Sequence, residues 1–181
     1  DWSRGLGDVY KRQFIRLRSF VHPRYWTTWL GIGSMWLIAR LPFPIQLGIG
    51  KLLGMLAFHF ARSRRHVCET NLRLCFPELS EHELQQLLRK TFESNGIGFI
   101  EIVIAWVGNP ERYQHLANFH GLDNLKTATA QGKGVLLIGP HLTTFEMAGF
   151  LYSGIGELNA TYRANDKNPL FDAFMLSLIH I

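Results

Sequence analysis

A short apolar run followed directly by a helix start constrains the fold of this chain more than any other feature. The run is Val135–Ile138, a Gly-Pro pair ends it, and the next residues are typical of a first helical turn containing Glu146. An apolar run of this length indicates a buried strand. We therefore predict a strand, a loop carrying His141 at its carboxyl end, and a helix with Thr143 or Thr144 as N-cap. Open α/β sheets bind their ligands at that edge.

His141 and Glu146 are the types of side chain that activate a hydroxyl group. The imidazole has the intrinsic pKa of a general base, and a carboxylate can orient it and stabilise its charged form. No serine or cysteine adjoins His141, which favours direct transfer over a covalent intermediate. No second ligand stands at metal-binding spacing, so a metal-dependent hydrolase is disfavoured. On spacing alone, a purely structural histidine stays open.

Residues 14–61 have the composition of membrane-associated helices. Tyr25–Ala39 carries no formal charge and contains three tryptophans, and Ile45–Ala61 has leucines at helical spacing. Tyr25–Ala39 is shorter than the roughly 20 residues that span a bilayer. It is therefore either a tilted span or an interfacial helix, while a buried hairpin of a soluble protein is the alternative. We predict that residues 14–61 form a membrane anchor or interfacial helices.

Residues 62–175 are predicted to form an α/β domain. Helices extend to about residue 108, and Ser80 and Glu83 match a capping box. Strands are then predicted near Tyr113–His120, at Val135–Ile138 and at Asn159–Tyr162, with helices between them. Alternating units of this kind imply a mostly parallel sheet. The predicted fold class is thus α/β, with membrane-associated helices before a mostly parallel, C-terminally truncated domain.

The two ends of the chain can be encoded by complementary DNA strands. Leu176–Ile181 can be written as CTGTCTCTTATACACATC, and the reverse complement of that string encodes Asp8–Gln13. We interpret residues 1–13 and 176–181 as translated adapter sequence and expect them to pack poorly. The natural protein would then continue beyond the C-terminal end. A native basic leader and an apolar tail are the alternative.

The charge of the chain, formally +5, fits a partner with phosphates or an anionic membrane. Nucleic acid is disfavoured because neither zinc-ligand spacing nor an RNA-binding signature is present.

Arg163 follows a predicted strand and suits a phosphate or carboxylate of a substrate, although a surface ion pair is equally compatible with its spacing. Asn165 is a weaker candidate for substrate binding.

Several spaced blocks resemble one family, the lipid A biosynthesis acyltransferases of the lauroyl and myristoyl type, within the lysophospholipid acyltransferase superfamily. The blocks are His22–Trp26, Asn71–Ser80, Phe92–Ser94, the His141 segment and Tyr162–Pro169. The resemblance covers nearly all of residues 14–175. Together the blocks are more specific than any one of them.

The resemblance implies that His141 and Glu146 are the catalytic dyad and that the block containing Arg163 and Asn165 binds substrate. It implies transfer of an acyl chain from acyl carrier protein to a lipid A precursor, without metal or other cofactor, at the cytoplasmic face of the inner membrane of Gram-negative bacteria. The family's later blocks are absent, so the fragment itself is expected to be inactive. A lysophospholipid or glycerol 3-phosphate acyltransferase, or a non-catalytic membrane-anchored binding protein, are the alternatives.

Overall fold

The structure, a computed structural model, describes residues 20–132, 134–156, 158–159 and 167–179. Seven α-helices are found in these residues: α1 Trp26–Arg40, α2 Phe43–Phe60, α3 Arg62–Cys75, α4 Glu81–Val107, α5 Leu122–Thr129, α6 Phe145–Ser153 and α7 Pro169–Ile179. Short 3₁₀ turns occupy Pro23–Tyr25, Pro110–Arg112 and Gln114–Leu116. The predicted helix over Tyr25–Ala39 is confirmed as α1.

Helices α1, α2, α3 and α6 all pack against the long helix α4. Its start follows from the sequence. The Ser80 backbone N–H donates to the Glu83 carboxylate at 2.9 Å, and the Ser80 hydroxyl accepts from the Glu83 N–H at 3.4 Å. This confirms the predicted capping box, which satisfies two amides that the helix itself cannot bond.

Glycines allow α2 and α4 to approach until their backbones touch. A Cβ atom at Gly96 would collide with the carbonyl oxygen of Gly50 and the backbone of Gly54, and one at Gly54 would collide with the carbonyl oxygen of Phe92. The two helices therefore pack closely at Gly96. Because only glycines leave room for this approach, the contact fixes how α2 and α4 are aligned along their length.

Substitution of Gly96 by alanine should therefore destabilise the fold. We expect Gly96→Ala to cost about 1–3 kcal/mol, since backbone atoms rather than flexible side chains must move. Gly48 on α2 has open space around its Cβ position. Gly48→Ala should instead stabilise by about 0.5–1 kcal/mol, the usual gain of alanine over glycine in a helix. Urea unfolding of both variants measures the contrast, and equal effects would contradict the close approach.

The predicted sheet is wrong for the part of the chain that is described, where no strand occurs. Val135–Ile138 has no regular structure, with Leu136 83% and Ile138 89% exposed. Tyr113–His120 begins instead with a 3₁₀ turn, closed by the Leu116 N–H donating to the Tyr113 carbonyl at 2.9 Å. Asn159 is not in a strand, and residues 160–162 lie outside the described ranges. The physical reason is pairing: an apolar run becomes a strand only beside another strand.

The ends and the domain boundaries stay predictions. Residues 1–13 lie outside the described ranges, while Leu176–Ile179 completes α7. A helix that begins at Pro169 can continue through any residues of adequate helix propensity. The helical state of these last residues therefore does not test their adapter origin. The division at residue 61 is likewise untested.

The Glu101 carboxyl group on α4 is half-buried, and its Oε2 atom accepts no hydrogen bond from the described residues. Burial raises the pKa of this carboxyl above its usual range. The pKa of Glu101 is higher in the folded state than in the unfolded state, so ionisation of this carboxyl lowers the stability of the fold. The loss of stability is absent at low pH, below the unfolded-state pKa, and is complete once pH has risen through the folded-state pKa.

Substitution of Glu101 by glutamine should accordingly stabilise the fold at neutral and alkaline pH. Near the ordinary pKa of glutamate, about 4.3, the gain should vanish. Urea midpoints measured across that range give the comparison. Glu78→Gln, at an exposed position, is the matched control and should not show the same rise with pH. A gain for Glu101→Gln that is independent of pH would contradict the burial of a charged group.

Candidate active site

A cleft of about 400 Å³ lies between the middle of α4 and the segment that enters α6. Its lining combines two titratable groups with an amide and apolar side chains. The lining residues are Asn95, Gly98, Phe99, Ile102, His141, Leu142, Thr143, Phe145 and Glu146. The structure thus brings His141 and Glu146 to the lining of one cleft.

The His141 loop is held in place by direct contact with α4. A Cβ atom at Gly98 would collide with the Thr143 side-chain methyl group, so the loop packs against a bare stretch of helix backbone. Within the loop, the Leu142 N–H donates to the Pro140 carbonyl at 3.0 Å. The sequence alone does not reveal that this loop packs against Gly98. The position predicted for His141, at the end of a strand, is wrong because Val135–Ile138 does not form a strand.

The two predicted catalytic side chains are exposed within the cleft. The His141 ring lies against Phe145, with ring centroids 5.5 Å apart at an angle of 42°. Glu146 is in the first turn of α6, where the positive end of the helix dipole favours a carboxylate. Thr144 occupies the N-cap position without a side-chain hydrogen bond. The structure shows no hydrogen bond between His141 and Glu146, so their direct pairing stays a prediction.

Asn95 is a site residue that the sequence analysis missed. It lies about one turn before Gly98 on α4 and lines the His141 cleft. It also lines a second, more apolar cleft of about 430 Å³ between α2, α3 and α4, and Phe99 is shared by both clefts. The signal that could have found it is a polar residue between the buried positions Phe92 and Ile100 of a helix.

The predicted substrate-binding residues Arg163 and Asn165 lie outside the described residues. Within the described ranges, no three histidine, cysteine or acidic side chains are grouped closely enough to hold a metal ion. Substrate binding by Arg163 and Asn165 stays a prediction.

The first two helices present apolar side chains to the outside. Trp26 and Trp36 on α1 are 65% and 51% exposed. Trp29 is half-buried, and its Nε1 donates to the Phe20 carbonyl at 2.9 Å. Leu52 and Leu56 on α2 are exposed as well.

Helix length separates the two candidates for a membrane span. Of the helices described, α2 is long and apolar enough to cross a membrane, although a buried helix of a soluble protein can have the same length and composition. Only 22% of the α2 residues are buried, which is low for a core helix. The sequence left both a tilted span and an interfacial helix open for Tyr25–Ala39, and α1, with 15 residues, is too short to span a bilayer by itself.

Comparison with known proteins decides the family. Residues 14–178 match the sequence profile of the bacterial lipid A biosynthesis acyltransferases. The chain belongs to this family. The match covers His141, Glu146 and α4, so all residues that line the cleft described above lie within the matched range.

Individual relatives agree with the family match. The chain is 41% identical over 158 residues to the lipid A biosynthesis lauroyltransferase of Escherichia coli (strain K12), covering 85% of this chain and 50% of that protein. It is 36% identical to the palmitoleoyltransferase of the same organism, covering 83% and 49%, and 30% identical to the myristoyltransferase, covering 86% and 48%. The chain spans about half the length of the curated relatives it matches. No solved structure matches the chain.

Proposed function

We propose that this chain forms part of an enzyme that transfers a fatty acyl chain from acyl carrier protein to a hydroxyl group of a lipid A precursor. The observation that carries the proposal is the cleft that His141 and Glu146 both line, within a chain that matches the acyltransferase family over residues 14–178. The family supplies the class of reaction, and the cleft supplies the groups that the reaction needs.

The proposed chemistry is a direct transfer. His141 accepts the proton of the acceptor hydroxyl as its oxygen attacks the thioester carbonyl carbon. The carbon–oxygen bond forms and the carbon–sulfur bond breaks, and the proton on His141 passes to the departing thiolate. Glu146 stabilises the imidazolium that exists between these two proton transfers.

Polar groups near the dyad have supporting roles in this proposal. The Asn95 amide lines the same cleft and is able to donate a hydrogen bond to the oxygen on which negative charge develops. Arg163 and Asn165 would bind a phosphate of the acceptor, because a guanidinium matches phosphate geometry with two parallel hydrogen bonds. No step requires a metal or another cofactor.

The proposed enzyme acts at the cytoplasmic face of the inner membrane, where acyl carrier protein and the lipid precursor meet. The exposed apolar side chains of α1 and α2 support membrane association. Arg62 and Arg64 begin α3 directly after the apolar α2. Arginines at such a boundary are attracted to anionic lipid headgroups, by about 1 kcal/mol each.

A chimera tests the proposal. Residues 14–178 of this chain replace the matching half of the Escherichia coli lauroyltransferase, and the purified protein is given acyl carrier protein thioester and a lipid A precursor. Acyl transfer to the precursor is the expected result. Transfer to lysophospholipid or glycerol 3-phosphate instead, or binding without transfer by a folded chimera, would contradict the proposal and favour an alternative.

A further inference from the structure

Three consecutive residues after α4 connect the two parts of the molecule that the proposed reaction must align. They are Arg112, Tyr113 and Gln114, here called the clasp. On one side they contact the end of α1, which carries part of the exposed apolar surface. On the other side they contact the end of α6, whose start carries Glu146.

Arg112 binds the last two carbonyl groups of α1 and that of the C-cap residue that follows them. Its Nη1 donates to the carbonyl oxygens of Ala39 and Arg40, each at 3.2 Å, and its Nη2 donates to that of Leu41 at 2.7 Å. These carbonyls lie at the negative end of a helix and have no further turn to bond them. A guanidinium suits this place because its planar fork reaches several acceptors at once.

Tyr113 is the buried centre of the clasp, 1% exposed. Its hydroxyl accepts from the Gln46 side-chain amide at 2.9 Å, and that amide also donates to the Ile38 carbonyl at 2.9 Å. Its ring packs against Phe43 of α2 and Phe150 of α6, with centroids 6.0 and 6.1 Å away. The Tyr113 hydroxyl also donates to the Ala39 carbonyl of α1 at 3.3 Å, so this one side chain contacts α1, α2 and the helix of the candidate dyad.

Gln114 completes the connection. Its Nε2 donates to the Leu151 carbonyl near the end of α6 at 2.6 Å. Gly154 leaves room for this amide, since a Cβ atom there would collide with it. Helix α6 has nine residues, about 14 Å at 1.5 Å per residue. A tilt at its clasped end is therefore carried to Glu146 at the other end.

We propose that Arg112, Tyr113 and Gln114 are positioning residues, which hold α6 and its dyad at a set orientation to the membrane-facing helices α1 and α2. The role for catalysis rests on the proposed function, whereas the mechanical link does not. The proposal differs from an ordinary helix cap in one consequence. Loss of the Arg112 hydrogen bonds to the end of α1 must also loosen α6, although Arg112 itself makes no hydrogen bond to α6.

Hydrogen exchange of the purified 181-residue chain tests the link. In Arg112→Ala, the amides of the last turn of α1 and those of α6 should both exchange about fivefold faster or more, because the variant removes the three hydrogen bonds of Arg112 and each contributes only modestly in net terms. Arg89→Ala is the matched control, because this arginine lies over the Phe58 ring of α2 and is not part of the clasp. It should leave both regions unchanged.

Two results would overturn the proposal. Faster exchange confined to α1 would make Arg112 a helix cap only, and equal acceleration in α3, which the clasp does not touch, would show a general loss of stability. If Arg112→Ala does not fold, Tyr113→Phe serves instead, because it keeps the buried ring and removes only the hydroxyl. The same pattern in α1, α2 and α6 is expected from it.

The chimera adds a catalytic readout. Arg112→Ala should lower kcat about tenfold for an acceptor in lipid bilayers, with KM for the thioester unchanged, and should lower it less for the same acceptor in detergent micelles. An equal loss in bilayers and micelles would contradict a role in orientation towards the membrane. An inactive parent chimera would count against the proposed function. The hydrogen-exchange experiment would still test the mechanical link, because it does not depend on activity.

Discussion

Acyl transfer should be lost when His141 is replaced by alanine. In the chimera described above, we expect His141→Ala to lower kcat by at least about 10²–10⁴-fold, the usual contribution of a general base. An aliphatic hydroxyl is too weak a nucleophile to attack the thioester without proton removal. Initial rates with saturating thioester and acceptor measure the effect. His120→Ala, at an exposed position away from the cleft, is the matched control and should retain activity.

Thermal unfolding must accompany this measurement. His141 is exposed, so its replacement should leave the free energy of unfolding within about 0.5 kcal/mol of that of the parent. Substantial transfer by a folded His141→Ala protein would show that the base lies elsewhere. The carboxylate partner gives a second comparison: Glu146→Gln should lower kcat by orders of magnitude while KM changes little, because Glu146 acts on the charged imidazole rather than on bound substrate.

Membrane association should be lost when acidic side chains enter the apolar surface of α1 and α2. Leu37 on α1 and Leu56 on α2 are 60% and 44% exposed. Burial of such a side chain in lipid contributes about 1.5–3 kcal/mol, and a carboxylate reverses that gain. We therefore expect Leu37→Glu with Leu56→Glu to weaken binding to anionic vesicles by at least about a hundredfold. Vesicle sedimentation at low and high salt measures it.

The control for this experiment is Ile155→Glu, which places the same charge on an exposed apolar residue after α6, outside the two helices. It should bind vesicles as the parent does. Equal binding by the double variant would place the membrane contact elsewhere. Point substitutions are a better test than removing residues 14–61, since α2 packs along α4 and its deletion would expose Gly96 and Phe92 to water.

Local signals in the sequence were sufficient for the helices. The capping box at Ser80 and Glu83, the uncharged run that became α1 and the helix start before Glu146 each depend on residues within one or two turns. Their hydrogen bonds close inside the segment, so no distant partner is needed. The same locality placed His141 and Glu146 near one another, because a loop and the first turn of the next helix cannot separate them far.

Pairing and packing at a distance could not be determined in this way. Val135–Ile138 has the composition of a strand, but whether it forms one depends on a neighbouring strand elsewhere in the chain. Asn95 joins the cleft only because α4 passes beside the His141 loop, and Gly98 is needed only because Thr143 rests on it. The sequence by itself determined the helical segments, the candidate dyad and the family. The tertiary structure decided which helix faces form the cleft and which three residues connect α1 to α6, because those contacts join residues far apart in the chain.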